Sequence, residues 1–241
     1  QEKNGVYYLF FPAKDYDGIF RIGVATSASP IGPFTPQLKA IKGSFSIDPA
    51  VFKDDDESYY MYFGGLWGGQ LQRWREGFFN NDEPESPTAF IPKDHEPALL
   101  PVIAKMTDDL LEFVETPKEV QIIDENGILL LAGDNNRRFF EAAWMHKHDN
   151  KYYFSYSTGD THFICYAVGD NPYGPFTYKG KVLTPVVGWT SHHSICTIKD
   201  KDYLFYHDSS LSRGVTHLRS VKLTEINYRD DGTIITVNPY G

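Results

Sequence analysis

Four short stretches of the 241-residue chain follow one design: NGVYYLFFPA at 4–13, DESYYMYFGG at 56–65, DNKYYFSYST at 149–158 and DKDYLFYHDS at 200–209. Each opens on a polar turn signal, runs through about six residues centred on tyrosine, and ends in small residues, the pattern of a hairpin strand. After three of them a second strand-like run follows: IFRIGVATSAS, HFICYAVGDN and VTHLRSVKLTEI. Two of those runs lead into closely matching turns, SPIGPFT (29–35) and NPYGPFT (171–177). Such self-similarity means an internal repeat, so the fold is an array of like units. The tyrosine strands begin near residues 7, 59, 152 and 203. The two short intervals, about 50 residues each, fit one four-stranded propeller blade apiece.

The long middle interval contains QRWREGFFNNDEPESPTAFIPKDHEPALLP, rich in proline and acids, which reads as a loop inserted into one blade. The run ALLPVIAKMTDDLLEF returns to the strand pattern, and DDLLEFVE is the one stretch whose spacing is compatible with a short helix. An aromatic content of 15% favours strands elsewhere. The reading is all-β, with four propeller-like repeats at about 1–42, 43–126, 127–185 and 186–241 and no separate second domain. A net charge of −9 without any lysine- or arginine-rich run argues against nucleic acid or an anionic membrane surface and is compatible with a neutral ligand. No apolar run approaches the ~18 residues of a membrane span. Cys165 and Cys196 form no CxxC, so neither a zinc site nor a disulfide framework is indicated, and a single bridge between them stays open. The opening QEKNGVYYLFF is too aromatic, and its apolar stretch too short, for a signal peptide.

Two carboxylates stand in apolar settings: Asp48 in SFSIDPAVF and Glu141 in FFEAAWM. Phe139, Phe140, Ala142, Ala143 and Trp144 frame Glu141 and disfavour its ionised form. That suits a general acid, which has to be protonated near neutral pH. An inverting glycosidase pairs such an acid with a carboxylate about 6.5–9.5 Å away that activates water on the other face of the sugar. The plainer readings are an Asp-Pro turn opener at Asp48 and a strand-edge charge paired with Arg137 or Arg138 at Glu141. Joint occurrence with the repeats favours chemistry, for Glu141 more than for Asp48. The run Asp54-Asp55-Asp56-Glu57 lacks the ligand alternation and glycine of a calcium loop and reads as a solvated hairpin. In TSHHSI, His192 and His193 are neighbours on a strand, so only one faces a pocket. Trp67 and Trp189 can cover the apolar face of a sugar ring, and the glycines around Trp67 permit close backbone approach. Arg219, ahead of Arg213, can hydrogen-bond sugar hydroxyls. For each tryptophan and arginine a packing or surface role weighs equally.

Taken together, SIDPAVFKDDDESYYMYFGG, FFEAAWMHKHDNKYYFSYST, GWTSHHSI and HLRSVKLTEINYRDDGTI resemble glycoside hydrolase family 43, in order and across essentially the whole chain. The resemblance implies a five-bladed β-propeller, of which four blades are visible here, acting on xylan- and arabinan-derived sugars. It looks closest to the β-xylosidase and α-L-arabinofuranosidase branch. It further implies Glu141 as general acid, Asp48 as the aspartate that tunes the acid and orients the sugar, and His192 at the channel centre. Trp67, Phe140, Trp189, His192 and Arg219 are then the expected substrate contacts. No cofactor is required. A structural calcium at the propeller axis, resting on His192 through water, is the one metal implied, because a lone imidazole is a poor direct ligand for an oxygen-seeking ion.

The sequence departs from that pattern in two ways. The family's general-base aspartate lies in its first blade, whereas the opening strand here matches the second; the base is expected upstream of Gln1, and residues 1–241 are not expected to close as a ring of four. Ala142 and Ser191 also stand where the family often has glycine, and both are expected to be tolerated. Two functions from different classes fit: an inverting, exo-acting glycosidase releasing xylose or arabinose, and a non-catalytic sugar-binding propeller. Retaining fructan hydrolases rank behind both, since their Asn-Asp-Pro and Glu-Cys motifs are not seen. The expected partner is an oligosaccharide or polysaccharide, and a periplasmic or secreted location is favoured over a cytoplasmic one.

Overall fold

The tyrosine repeats become inner strands of antiparallel sheets, because their consecutive aromatic and apolar residues supply large side chains to both faces of a strand flanked on each side. The computed structural model of the chain describes residues 1–189 and 192–241, so the expectation for Ser191 falls outside the described residues. The first sheet is β1 (Glu2–Lys3), β2 (Val6–Lys14), β3 (Phe20–Ser27) and β4 (Thr35–Pro36); the second is β5 (Ala50–Lys53), β6 (Tyr59–Phe63), β7 (Val102–Lys105) and β8 (Lys118–Glu119). The third holds β9 (Ile122–Ile123), β10 (Glu141–His148), β11 (Lys151–Ser157), β12 (Ile164–Gly169) and β13 (Phe176–Leu183), in the order β10-β11-β12-β13-β9. The fourth is β14 (His193–Ile198), β15 (Lys201–Asp208) and β16 (Ser220–Glu225). Strands β2, β6, β11 and β15 are the four tyrosine repeats. Each sheet is a meander of neighbours, apart from β9, which returns to pair parallel with β13 through Ile122 opposite Phe176.

Local chemistry sets the hairpins. The β1–β2, β10–β11 and β14–β15 connections each turn on two residues with positive φ: Asn4 and Gly5, Asp149 and Asn150, Lys199 and Asp200. Two-residue turns of this hand match the twist of the strands they join. The Asp54–Glu57 run is a hairpin turn between β5 and β6, closed by Asp54 N–H donating to Ser58 O at 2.9 Å.

The chain forms two compact units, Gln1–Ile91 with Pro101–Glu119, and Pro92–Leu100 with Val120–Gly241. In the first, Ile22, Met61, Tyr62, Phe63 and Ile103 are fully buried. In the second, Phe139, Phe154, Tyr156, Tyr166 and Phe176 play that part. Buried phenols need partners, and the second unit supplies them from its loops: Tyr166 OH accepts from Ile234 N–H at 2.8 Å, Tyr153 OH donates to Gly232 O at 2.8 Å, and Tyr156 OH donates to Arg137 O. Apolar side chains remain exposed on the first and last sheets, notably Val6 and Leu9 on β2 and Val221 and Leu223 on β16. Cys165 is buried and Cys196 exposed, both as free thiols. No helix among the described residues is long and apolar enough to cross a membrane.

The short helix that the spacing of DDLLEFVE allows does not form. Asp109 Oδ1 accepts from Thr107 Oγ1 at 2.6 Å and from Leu111 N–H at 3.1 Å, and Met106 bridges Phe113 as an antiparallel pair. A short acidic side chain here captures backbone donors that a helix would need, and the segment becomes a turn.

The inserted loop has an organising centre that its composition hides. Arg73 is buried at 5% exposure in a short 3₁₀ turn, Leu71–Trp74. Its Nη1 donates to Asn80 O (3.1 Å) and Asp82 O (2.9 Å), and its Nη2 to Glu83 O (2.9 Å) and Ser86 O (2.8 Å). The rings of Phe79 and Phe90 lie 6.0 and 5.6 Å from the guanidinium. The loop is therefore wound on one planar cation that no ammonium could replace with the same geometry. Replacing it by leucine removes the shared donor from four carbonyls, and hydrogen bonds to charged groups are worth about 1.5–3 kcal/mol each. Arg73→Leu is expected to speed limited proteolysis within residues 80–91 by an order of magnitude or more, with Arg73→Lys intermediate; a wild-type cleavage pattern in the leucine variant would show that the loop is held by something else.

Candidate active site

Glu141 is the first residue of β10 and pairs with Ser157 at the end of β11. The ladder then slips between Glu141 and Trp144, and Ala142 lies in the left-handed region at φ 61°. A bulge of this kind inserts one residue and re-aims the side chain beside it. The position is one that glycine adopts freely, whereas alanine pays about 1–2 kcal/mol there; Ala142 and Ala143 are nonetheless buried within the core. Phe140, expected as a sugar contact, is only 2% exposed. Its ring fills the space at Gly159, where an added Cβ would come within 2.3 Å of it, and the Arg138 guanidinium lies 5.4 Å from its centre. Phe140 is thus the floor beneath the Glu141 backbone. The neighbouring arginines are engaged elsewhere: Arg137 with the Asp134 carboxylate at 2.6 Å, and Arg138 with the Asn135 amide oxygen at 2.6 Å and the Asp160 carboxylate at 3.3 Å.

The loop after Ser157 is knotted by Thr158 and Thr161, whose hydroxyls meet at 2.6 Å, and by Thr161 Oγ1 donating to Asn135 O at 2.6 Å. It ends on His162, whose ring stands edge-on to the exposed Trp189 at 4.8 Å and 86°. Burial lowers the His162 pKa, against an opposing pull from Asp160. Nothing in DTHF marks His162 as a support for Trp189, and sequence reasoning missed it.

The adjacent histidines take opposite sides, as strand geometry requires. His193 is buried, with Nε2 2.6 Å from Ser155 Oγ, and burial holds its pKa well below the usual value. His192 is exposed, and its backbone N–H donates to His207 Nε2 at 3.1 Å. Arg219 Nη1 reaches the same nitrogen at 3.4 Å, while Arg219 Nε donates to Thr216 O at 3.0 Å. His207 was not anticipated; burial, and then Arg219 and His192, lower its pKa to about 4, with Asp208 opposing. Arg213 lies exposed on the same loop, in a left-handed turn at φ 57°.

In the other unit, Asp48 sits half-buried just before β5, in a turn where Ser46 (φ 62°) and Asp48 itself (φ 59°) are both left-handed. Ser46 Oγ accepts from Gly65 N–H at 3.0 Å and donates to Gly69 O at 2.6 Å, and Gly64 N–H donates to Ile47 O at 2.8 Å. These bonds lace the Asp48 turn to the glycine-rich segment that carries Trp67. Gly69 has no room for a side chain, since a Cβ would come within 2.8 Å of Ile47.

Among the described residues no group of three or more His, Cys, Asp or Glu side chains could hold a metal ion. The His192 backbone N–H meets the His207 imidazole, which the Arg219 guanidinium also approaches, and neither ring nor guanidinium is the oxygen ligand calcium takes. Direct calcium ligation at His192 does not fit this arrangement.

Meander sheets built on tyrosine strands, with a glutamate on a bulge at one strand start and an aspartate in a left-handed turn before another, place the chain in the β-propeller glycosidase class. It belongs to glycosyl hydrolases family 43, whose family model matches residues 1–234. A xylosidase/arabinosidase of Bacteroides ovatus is 59% identical over 235 residues, covering 98% of this chain and 70% of that protein. A β-xylosidase of Xylanibacter ruminicola is 55% identical over 236 residues, covering 98% and 72%. Among solved structures, a β-xylosidase/α-arabinofuranosidase of this family from a compost microbial metagenome, in complex with xylotriose and in a calcium-free form, aligns with a TM-score of 0.95 at 62% identity. The alignment covers 100% of this chain and 72% of that one.

The loop bearing Arg219 is pinned at both ends by one carboxylate. Asp208 is 2% exposed and accepts from Ser210 Oγ (2.9 Å), Ser220 Oγ (3.1 Å) and Tyr240 OH (3.0 Å), with Lys222 Nζ at 3.6 Å. Burial pushes this carboxyl up, but the Ser210, Tyr240 and Ser220 donors together hold it below its ordinary value. A depressed carboxylate contributes stability above its unfolded pKa, lost as pH falls through the folded one. Wild type is therefore expected to unfold at a higher temperature than Asp208→Asn between about pH 5 and 7, where ordinary carboxylates are ionised, with the gap narrowing below about pH 4. A gap that is constant with pH would assign Asp208 a purely steric role.

Proposed function

We propose that the chain acts as an inverting glycosidase that releases xylosyl or arabinofuranosyl units from xylan-derived oligosaccharides, with Glu141 as general acid. One observation carries this reading: Glu141 stands on a bulge at the start of β10, floored by the buried Phe140 and backed by buried Ala142 and Ala143. A side chain aimed by a strained, over-determined backbone is typical of positions where geometry serves chemistry. The relatives' activities support the substrate class, being xylosidases and arabinosidases by name, and an enzyme of Xanthomonas citri at 52% identity is known complexed with xylose.

In this reading Glu141 donates its proton to the leaving glycosidic oxygen as the bond breaks. Asp48 is assigned the tuning role from its motif and from the rigid turn that holds it. Inverting displacement further needs a carboxylate to activate water on the opposite sugar face, and neither Asp48 nor Glu141 takes that part. Trp189 and Trp67 offer apolar surface to pyranose or furanose rings. Arg219 and His192 offer polar contacts, and Phe140 supports the acid rather than touching sugar.

Glu141→Gln is expected to retain xylotriose binding while losing about 10²–10⁴-fold in turnover of xylobiose. Aryl xylosides with very good leaving groups need little protonation and should be largely spared. Equal losses on both substrates would make Glu141 structural. Xylotriose binding by the unsubstituted chain, with no hydrolysis of any pentoside, would turn the reading to a sugar-binding module.

A further inference from the structure

We propose that His207 is a positioning residue that couples His192 and Arg219 into one sugar-recognition unit through a shared acceptor, Nε2. This rests on the reading above that those two side chains face the sugar. Two groups converge on Nε2: the His192 backbone N–H at 3.1 Å and Arg219 Nη1 at 3.4 Å. An amide N–H and a guanidinium can only donate. Nε2 must therefore offer its lone pair, which fixes the ring as the neutral tautomer with its proton on Nδ1.

The topology explains why this position can do so. β15 runs between β14 and β16, with Tyr206 opposite His193 and His207 opposite Val221. A side chain near the end of β15 is thus within reach of the residue entering β14 and the residue entering β16. Arg219 is held at two of its three nitrogens, Nε by Thr216 O and Nη1 by His207. Its Nη2 has no protein partner among the described residues, and the side chain is exposed. A guanidinium anchored in this way presents one fixed donor edge, with most of its rotamer freedom already lost before a ligand arrives, which is the condition for preorganised recognition. The same acceptor fixes the backbone from which the His192 side chain projects.

The test is xylotriose binding by calorimetry on the full chain, for His207→Leu, His207→Gln, Arg219→Ala and the double variant His207→Leu with Arg219→Ala. His207→Leu is expected to weaken binding by roughly tenfold or more, and His207→Gln, which restores an acceptor oxygen, to recover most of it. In the Arg219→Ala background the leucine change should add little, because groups acting as a unit are not additive. Ring nitrogen NMR shifts should show Nδ1 protonated and Nε2 bare in the wild type. Wild-type affinity in His207→Leu alongside a weakened Arg219→Ala would overturn the proposal while leaving the sugar contact intact. So would fully additive losses, an unrescued glutamine variant, or a protonated Nε2. Unchanged binding in Arg219→Ala would instead remove the reading on which the proposal stands, and the proposal with it.

Discussion

The pairing of Glu141 with Ser157 is the constraint on which the acid's surroundings depend. The β10–β11 ladder is pinned at its far end by the two-residue turn at Asp149 and Asn150, so its register cannot slip without turning every side chain to the opposite face. Holding Glu141 opposite Ser157 while Trp144 stays opposite Ser155 leaves one extra residue on the β10 side. It is absorbed in the bulge, and Ala142 is driven to φ 61°. Phe140, one step earlier, is pressed into the space that Gly159 leaves open. One rung of the β10–β11 ladder thus accounts for a strained alanine, an obligatory glycine and a buried phenylalanine.

The Asp48 turn reaches a comparable result by other means. Positive φ at Ser46 and Asp48 costs on the order of 1–2 kcal/mol per residue for left-handed backbone, with no ladder to impose it. Here a buried hydroxyl does the work: Ser46 Oγ serves Gly65 N–H and Gly69 O at once. That dual role satisfies backbone groups that would otherwise be stranded in a core position. In both motifs the carboxylate's own conformation is decided by its neighbours.

The sheets were legible because their signal is local. Alternating aromatics and turn residues at β2, β6, β11 and β15 state strand and hairpin within ten residues, and Asn4-Gly5 or Asp149-Asn150 name the turn type as well. Features set by what arrives from elsewhere were not legible. Ile122 pairs with Phe176 over a long separation through a two-residue strand. Arg73 reads as a surface charge in QRWRE until four carbonyls close around it. Phe140 looks like an open platform beside a carboxylate, yet Gly159 makes it a floor. DDLLEFVE has helical spacing, but Asp109 binds the donors first. At the candidate site, motif position singled out Glu141, Asp48, His192 and Arg219, whereas His162 beside Trp189, His207 beside Arg219 and Asp208 at the ends of the Arg219 loop carry no motif of their own.

A neutral sugar gains little from a net electrostatic field, so its recognition has to come from directed donors and apolar surface. The second unit is built accordingly. His193 and His207 are kept neutral by burial and spend ring nitrogens within the protein, one on Ser155 and one on the His192 backbone and Arg219. The buried anion, Asp208, is spent on hydroxyls that shape the loop. Trp189 and Arg219 are both exposed, one an apolar plane and the other a guanidinium held at Nε and Nη1. In the proposed reading the indole serves the C–H face of a pyranose or furanose ring and the guanidinium its hydroxyls. Charge in this unit sets positions, and the contacts offered to the ligand are left to shape and hydrogen bonding.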